Sequence, residues 1–118
     1  MPQSIPKATV LLEAAMKYLE SELMPTLAGY HRFQTRVTVN VLNTVRRELE
    51  LRGSQAEAEH ARLVAMLGHD GDVETLSREL SEKIRAGAIS IDDPALRAHV
   101  RQSLADALAI NNPKWLTR

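Results

Sequence analysis

The stretch "RVTVNVLNTVRRELELRG", residues 36–53, decides the fold, because its first half supports two incompatible readings. Val37, Val39 and Val41 alternate with polar residues, the period-two pattern of a half-buried strand. The alternation fails at Leu42, no other segment offers a convincing partner strand, and "TVRRELELRG" continues with good helix formers up to a glycine. A helix is therefore expected over residues 30–52, stopped by Gly53, which suits the left-handed closing position of a helix. On a helical wheel Val37, Val39, Val41, Leu42, Val45 and Leu49 cover a broad arc, which predicts contact from more than one side.

Working outward, Pro2, Pro6, Pro25, Gly29, Gly53, Gly68, Gly71, Gly87, Pro94 and Pro113 leave five uninterrupted stretches, each of which reads as a helix. The first, residues 5–23, can be capped by Ser4 with Pro6 in its first turn, and it ends before Pro25 because the residue preceding a proline resists helical geometry. Its apolar positions Leu12, Ala15, Leu19 and Leu23 recur at three and four. The third opens on "SQAE", where Ser54 and Glu57 form a capping box, and runs through Ala61, Val64 and Leu67. The fourth, residues 73–86, carries the slim stripe Val73, Leu76, Leu80 and Ile84, so one edge should be buried, and Gly87 ends it. After "AISID", whose Ile89 and Ile91 are expected to tuck inward, Asp93 and Pro94 start the fifth helix. Leu96, Val100, Leu104, Ala107 and Leu108 should be its core face, and Pro113 its stop.

Four Glu-to-base pairs spaced by four support this framework: Glu13–Lys17, Glu48–Arg52, Glu74–Arg78 and Glu79–Lys83. Each contributes only ~0.2–0.5 kcal/mol, so burial of the apolar stripes must hold the helices together. The expected fold is all-α, a compact antiparallel bundle of four to five helices. A length of 118 residues with 44% hydrophobic content suits one helical domain over residues 1–118, with residues 113–118 as a short tail. Only 3% of the residues are aromatic, so the core must be built from aliphatic side chains and methionine.

Composition also excludes several functions. Fifteen basic and fifteen acidic side chains cancel, leaving no global field to draw in nucleic acid or anionic lipid. The five arginines of the second helix (Arg32, Arg36, Arg46, Arg47 and Arg52) are partly offset by Glu48 and Glu50, a thin footprint for DNA. Without cysteine there can be no disulfide, zinc-thiolate site or thiol nucleophile, which suits the cytoplasm. The apolar stretch "TVLLEAAMKYL" is broken by Glu13 and Lys17, unlike a signal peptide, and the longest uncharged run, about residues 37–45, falls well short of the ~20 residues needed to cross a bilayer.

Four groups of residues invite a functional reading. "LGHDGD", residues 67–72, places a histidine and two aspartates together, but Gly68 suits a helix end, Gly71 a tight bend and Asp72 a cap, so a turn is expected. Its alternative is a small metal- or ligand-dependent enzyme centred on His69 and Asp70, whose weakness is that His31, His60 and His99 show no ligand-like spacing. Arg36, Asn40, Asn43 and Arg47 recur at four, three and four along the second helix, with Arg32 extending the row. That row is a solvated or hydrogen-bonded face, or a docking face for another protein. His99, Ser103 and Asp106 share a face of the fifth helix, but a row along one helix neither converges on a substrate nor builds an oxyanion hole. Trp115 and Leu116 lie beyond the last helix, where folding back onto the bundle is expected over serving as an exposed anchor.

Taken together, "MPTLAGYHRFQTRVTVNVLNTVRRELEL", "LGHDGD", "IRAGAISIDDPALRAHVR" and "NNPKW" resemble a family of small bacterial domains of unknown function, over most of the chain. The resemblance implies a partner, because such domains tend to be encoded beside, or joined to, kinase-like proteins of the aminoglycoside and choline phosphotransferase type, often near acyl-CoA dehydrogenases. The positions that match the family pattern best are Arg36, Asn40, Arg47, Glu48, Gly68, His69, Asp70, Gly71, Asp93 and Pro94, whereas Trp115 stands where tyrosine is expected. With no glycine-rich phosphate cradle and no kinase motif, the chain should not itself transfer phosphate. The expectation is a noncatalytic accessory protein without cofactor or membrane attachment. It would bind a phosphotransferase-like partner, or a second copy of itself, through Arg36, Asn40, Asn43, Arg47 and Trp115.

Overall fold

The computed structural model describes residues 7–117, so the expected cap at Ser4 and the turn at Pro6 lie outside the described residues. The protein is all-α, and no strand forms among the described residues. Four α-helices follow one another: α1 (Ala8–Lys17), α2 (Gly29–Leu67), α3 (Val73–Arg85) and α4 (Pro94–Asn111). A π-helical turn, Tyr18–Leu23, and a 3-10 turn, Met24–Thr26, separate α1 from α2, and a second 3-10 turn, Pro113–Thr117, follows α4. Backbone contacts divide the chain into two compact units, Met1–Arg52 and Gly53–Arg118.

One expected boundary is absent, because the second and third helices are a single helix of 39 residues. Gly53 does not take the left-handed conformation that a helix-ending glycine would show; among the described residues positive φ occurs only at Gly29, Gly68 and Gly87. A glycine inside a helix costs about 1 kcal/mol relative to alanine, a local penalty that the strong helix formers on both sides, "RRELELR" and "SQAEAEHARL", outweigh. Ser54 and Glu57 consequently lie inside α2 and begin no helix.

In the first unit α1 and the first part of α2 form an antiparallel hairpin: the turn at 24–28 joins them at one end, and Lys7, Ala8 and Thr9 share a shallow depression with Leu49 and Glu50 at the other. Pro25 has no N–H to donate and its ring crowds the carbonyl four residues back. The preceding turn accordingly widens, and the Met24 N–H donates to the Leu19 carbonyl, five residues back. Met24 and Val39 are buried, and Leu42 is half-buried. The alternating valines now have an explanation on a helix: residues two apart project to nearly opposite sides, so Val39 points inward while Val37 and Val41 point out. Val37, Val41, Val45 and Leu49 are all exposed, so most of the arc expected to be contacted from several sides is open.

The second unit has a closed core. Leu63 of α2, Leu76 and Leu80 of α3, and Leu96 of α4 are buried together, Leu63 and Leu76 completely, with Val64, Met66, Leu67, Val73, Ile84 and Ile89 packed against them. α4 runs antiparallel to the end of α2, since Met66 shares a depression with Asp93 and Ala95, Arg62 meets His99 and Gln55 meets Asp106. Side-chain caps start both short helices: Asp72 accepts from the Thr75 N–H at 2.7 Å and Asp93 from the Leu96 N–H at 3.0 Å. Gly68 and Gly87, at φ 81° and 79°, end α2 and α3 as expected. Of the four anticipated helical ion pairs, Glu48–Arg52 (2.9 Å) and Glu74–Arg78 (3.2 Å) form. Glu79 binds His69 instead of Lys83.

The core face of α4 differs from expectation. Leu96 is buried, but Val100 and Leu104 are 48% and 62% exposed and Ala107 is exposed, whereas His99 and Ile110 are buried and Ser103 and Asp106 half-buried. The helix is turned so that its polar row faces α2 and part of its apolar stripe faces solvent. Hydrogen bonding fixes that rotation: Arg62 Nε donates to His99 Nδ1 at 3.0 Å, an Arg62 guanidinium nitrogen lies 3.4 Å from Ser103 Oγ, and Gln55 Nε2 donates to the Asp106 carbonyl at 3.1 Å. Buried polar groups left without such partners would cost more than two half-exposed aliphatic side chains lose.

Candidate functional site

The turn after α2 is more highly ordered by side chains than its sequence suggests. Asp70 Oδ1 accepts from the Gly71 N–H at 2.7 Å and from His60 Nε2 at 2.8 Å, and His60 Nε2 also lies 3.0 Å from the Gly71 carbonyl. Two oxygen acceptors at one ring nitrogen place a proton on His60 Nε2. His69 has Nδ1 3.0 Å from the Asp70 carbonyl and Nε2 2.8 and 2.9 Å from the two Glu79 carboxylate oxygens. Acceptors at both nitrogens favour the doubly protonated ring, so the Glu79 hydrogen bond, helped by the Asp70 carbonyl, raises the His69 pKa. The Gly71 N–H and then His60 lower that of Asp70, and the Thr75 N–H and hydroxyl lower that of Asp72.

His69 and Asp70 are held by different partners, Glu79 and His60. No group of three or more metal-ligating side chains occurs among the described residues. Gly71 has a steric role as well as a turn role, since a Cβ there would come within 3.2 Å of the Leu76 side chain.

His99, Ser103 and Asp106 sit on the inner face of α4. Arg62 donates to His99 Nδ1, which leaves the ring proton on Nε2, and burial first, then the nearby guanidinium, lowers the His99 pKa. The cluster is a hydrogen-bonded seam between two helices.

The row along α2 divides. Asn43 Oδ1 accepts from Arg46 Nε and a terminal guanidinium nitrogen at 3.1 and 2.8 Å, bonds within the helix, and Arg47 donates to Thr44 Oγ1 at 3.3 Å. Arg36 and Asn40 are exposed. Trp115 is 57% exposed in the 3-10 turn, whose tight geometry begins with the Trp115 N–H donating to the Asn112 carbonyl.

A groove that sequence reasoning missed lies where α4 turns its aliphatic residues outward. Ile84, Ile91, Leu96, Val100 and Leu104 line about 510 Å³, and Arg97 and Arg101 border it. The Arg97 guanidinium is fixed by Asp92 at 2.9 Å and by the Ile91 carbonyl at 3.1 Å. Ile91, expected to tuck inward, is 70% exposed at its edge. An apolar floor with guanidinium groups on its rim suits an amphipathic, acidic surface.

These features define an all-α protein in which His60, His69, Asp70 and His99 hydrogen-bond within the chain while Val100 and Leu104 of α4 are turned outward. The chain belongs to a family described as a domain of unknown function, DUF6285, whose model matches residues 25–115. No curated protein and no solved structure matches it. Among the described residues no helix is long and apolar enough to cross a membrane.

Proposed function

We propose that this domain is a noncatalytic accessory module that docks onto another protein, and that its partner is a phosphotransferase-like protein of the aminoglycoside or choline kinase type. The observation carrying the docking reading is the rotation of α4, which directs His99 and Ser103 inward and leaves Val100 and Leu104 lining an open groove edged by Arg97 and Arg101. A helix of the partner with aliphatic side chains three and four residues apart and carboxylates beside them would fill the floor and meet the arginines. The kind of partner rests on the family resemblance. Arg36, Asn40 and Trp115, all exposed, are further candidate contacts.

Co-expression with a phosphotransferase-like protein of the aminoglycoside or choline kinase type tests the reading. The two proteins should co-elute from a sizing column at micromolar concentration, and Leu104→Glu or Arg101→Glu should separate them without changing the helical circular dichroism or melting temperature. Single substitutions at Arg36, Asn40 and Trp115 enter the same assay. Separate elution of the wild-type proteins would overturn the proposal.

A further inference from the structure

Between Tyr30 and Val45 one face of α2 carries no charged side chain. Tyr30, Phe33, Val37, Val41 and Val45 project from it and are 39–69% exposed, with the neutral Gln34 and Thr44 among them and Glu48 at the end. All eight lie within about 60° of a common direction at 3.6 residues per turn, and from Tyr30 to Glu48 they span roughly 27 Å of helix. The partly buried polar residues of α2, Asn43, Arg46 and Arg47, lie away from this direction.

The spacing of these positions is the same read in either direction from the midpoint between Val37 and Val41. An antiparallel copy aligned there sets Val37 against Val41, Gln34 against Thr44, Phe33 against Val45 and Tyr30 against Glu48, each contact occurring twice. Aliphatic and aromatic groups meet at the centre, an amide meets a hydroxyl, and at each end a phenol can donate to a carboxylate. Parallel pairing would instead leave the Tyr30 hydroxyl against its own copy and without the Glu48 carboxylate that the antiparallel arrangement gives it. The exposed area of the face is on the order of 600 Å² per copy, hence ~1,200 Å² for a pair, which reaches the lower bound of specific interfaces.

We propose that this face of α2 binds the same face of a second copy of the chain, antiparallel, about a two-fold axis between Val37 and Val41. The proposal concerns a different surface from the α4 groove and does not rest on the phosphotransferase reading.

Sedimentation equilibrium of the full chain at tens of micromolar should give twice 13.1 kDa. Val41→Arg should return the mass to that of one chain while its circular dichroism stays helical, because Val41 is already exposed. Leu104→Glu, in the groove, should leave the dimer intact. The absence of cysteine allows a second measurement that reads orientation. Phe33→Cys mixed with Val45→Cys should form an interchain disulfide under mild oxidation, and Phe33→Cys alone should not. A wild-type chain that sediments as a monomer, a Val41→Arg variant that remains dimeric, or equal cross-linking of Phe33→Cys with itself would each overturn the proposal.

Discussion

The unit before Gly53 and the unit that begins there bury their apolar residues to different extents. From Gly53 onward three helical segments enclose a leucine cluster, two members of which have no exposure at all. Before it, Met24 and Val39 are the buried hydrophobic residues among those described, while Val10, Leu11, Tyr18, Tyr30, Phe33, Val37, Val41, Val45 and Leu49 stay exposed. The difference follows from counting seams. Two antiparallel helices share one seam, so every apolar side chain off that line faces water, whereas a third helix closes the triangle and gives a central leucine neighbours on all sides. Hydrophobic content alone therefore does not make a core.

The largest expected effect tests the closed side of this contrast. Leu76→Ala should destabilise the protein by ~2–5 kcal/mol, because a completely buried leucine loses its transfer energy and leaves a cavity. Val41→Ala, measured at a concentration low enough to keep the chain monomeric, should stay within ~0.5 kcal/mol, as exposed positions do. Urea unfolding of both variants checks the pair, and similar losses at the two positions would erase the contrast.

Next in size is the polar seam of the second unit. Arg62→Ala removes the donor to His99 Nδ1 and should cost ~1–3 kcal/mol, the range for a buried polar atom left without its partner. A loss of only a few tenths, read from the same unfolding curves, would mean that the rotation of α4 has another cause.

The junction between the two units predicts a change of sign. Gly53→Ala should stabilise the chain by about 1 kcal/mol, since this glycine is inside a helix with open space where a Cβ would stand. Gly87→Ala should destabilise it by ~1 kcal/mol, because Gly87 sits at φ +79°. Thermal melts of the two variants should move in opposite directions.

The smallest effects are in the pH dependence, and all four groups concerned belong to the second unit. His69, whose pKa is raised by Glu79, contributes stability that is complete below its ordinary value of 6.5 and lost as pH rises through the folded value. His99, whose pKa burial lowers, contributes stability that is complete above 6.5 and lost as pH falls toward its folded value. Unfolding midpoints of His99→Gln should therefore decline with rising pH in this window, and those of His69→Gln should increase. Asp70 and Asp72, both lowered from 3.8, should add a further loss of stability only as pH falls below that value.

Local chemistry made much of the fold legible. Asp72 and Asp93 marked helix starts, Gly68 and Gly87 marked helix ends, and the stripe Val73, Leu76, Leu80 and Ile84 identified the buried edge of α3. "LGHDGD" was readable as a turn, but not as the place where His60 closes onto Asp70 and His69 onto Glu79, because partners ten residues apart across a bend leave no periodic trace. Gly53 was misleading for the opposite reason: glycine is compatible with both a helix stop and a helix interior, and its neighbours decide between them.

Spacing and residue type by themselves determined that the chain is helical, where three of its helices end, and which residues cap them, since each of these depends on atoms within a turn or two of one another. Tertiary structure decided which stripe of α4 faces inward. On α4, Arg62 and Gln55, some forty to fifty positions away along the chain, draw the polar row into the interior and turn Val100 and Leu104 to the surface. A hydrogen-bond donor on a facing helix constrains rotation about the helix axis, and no property of the α4 sequence alone records where that donor stands.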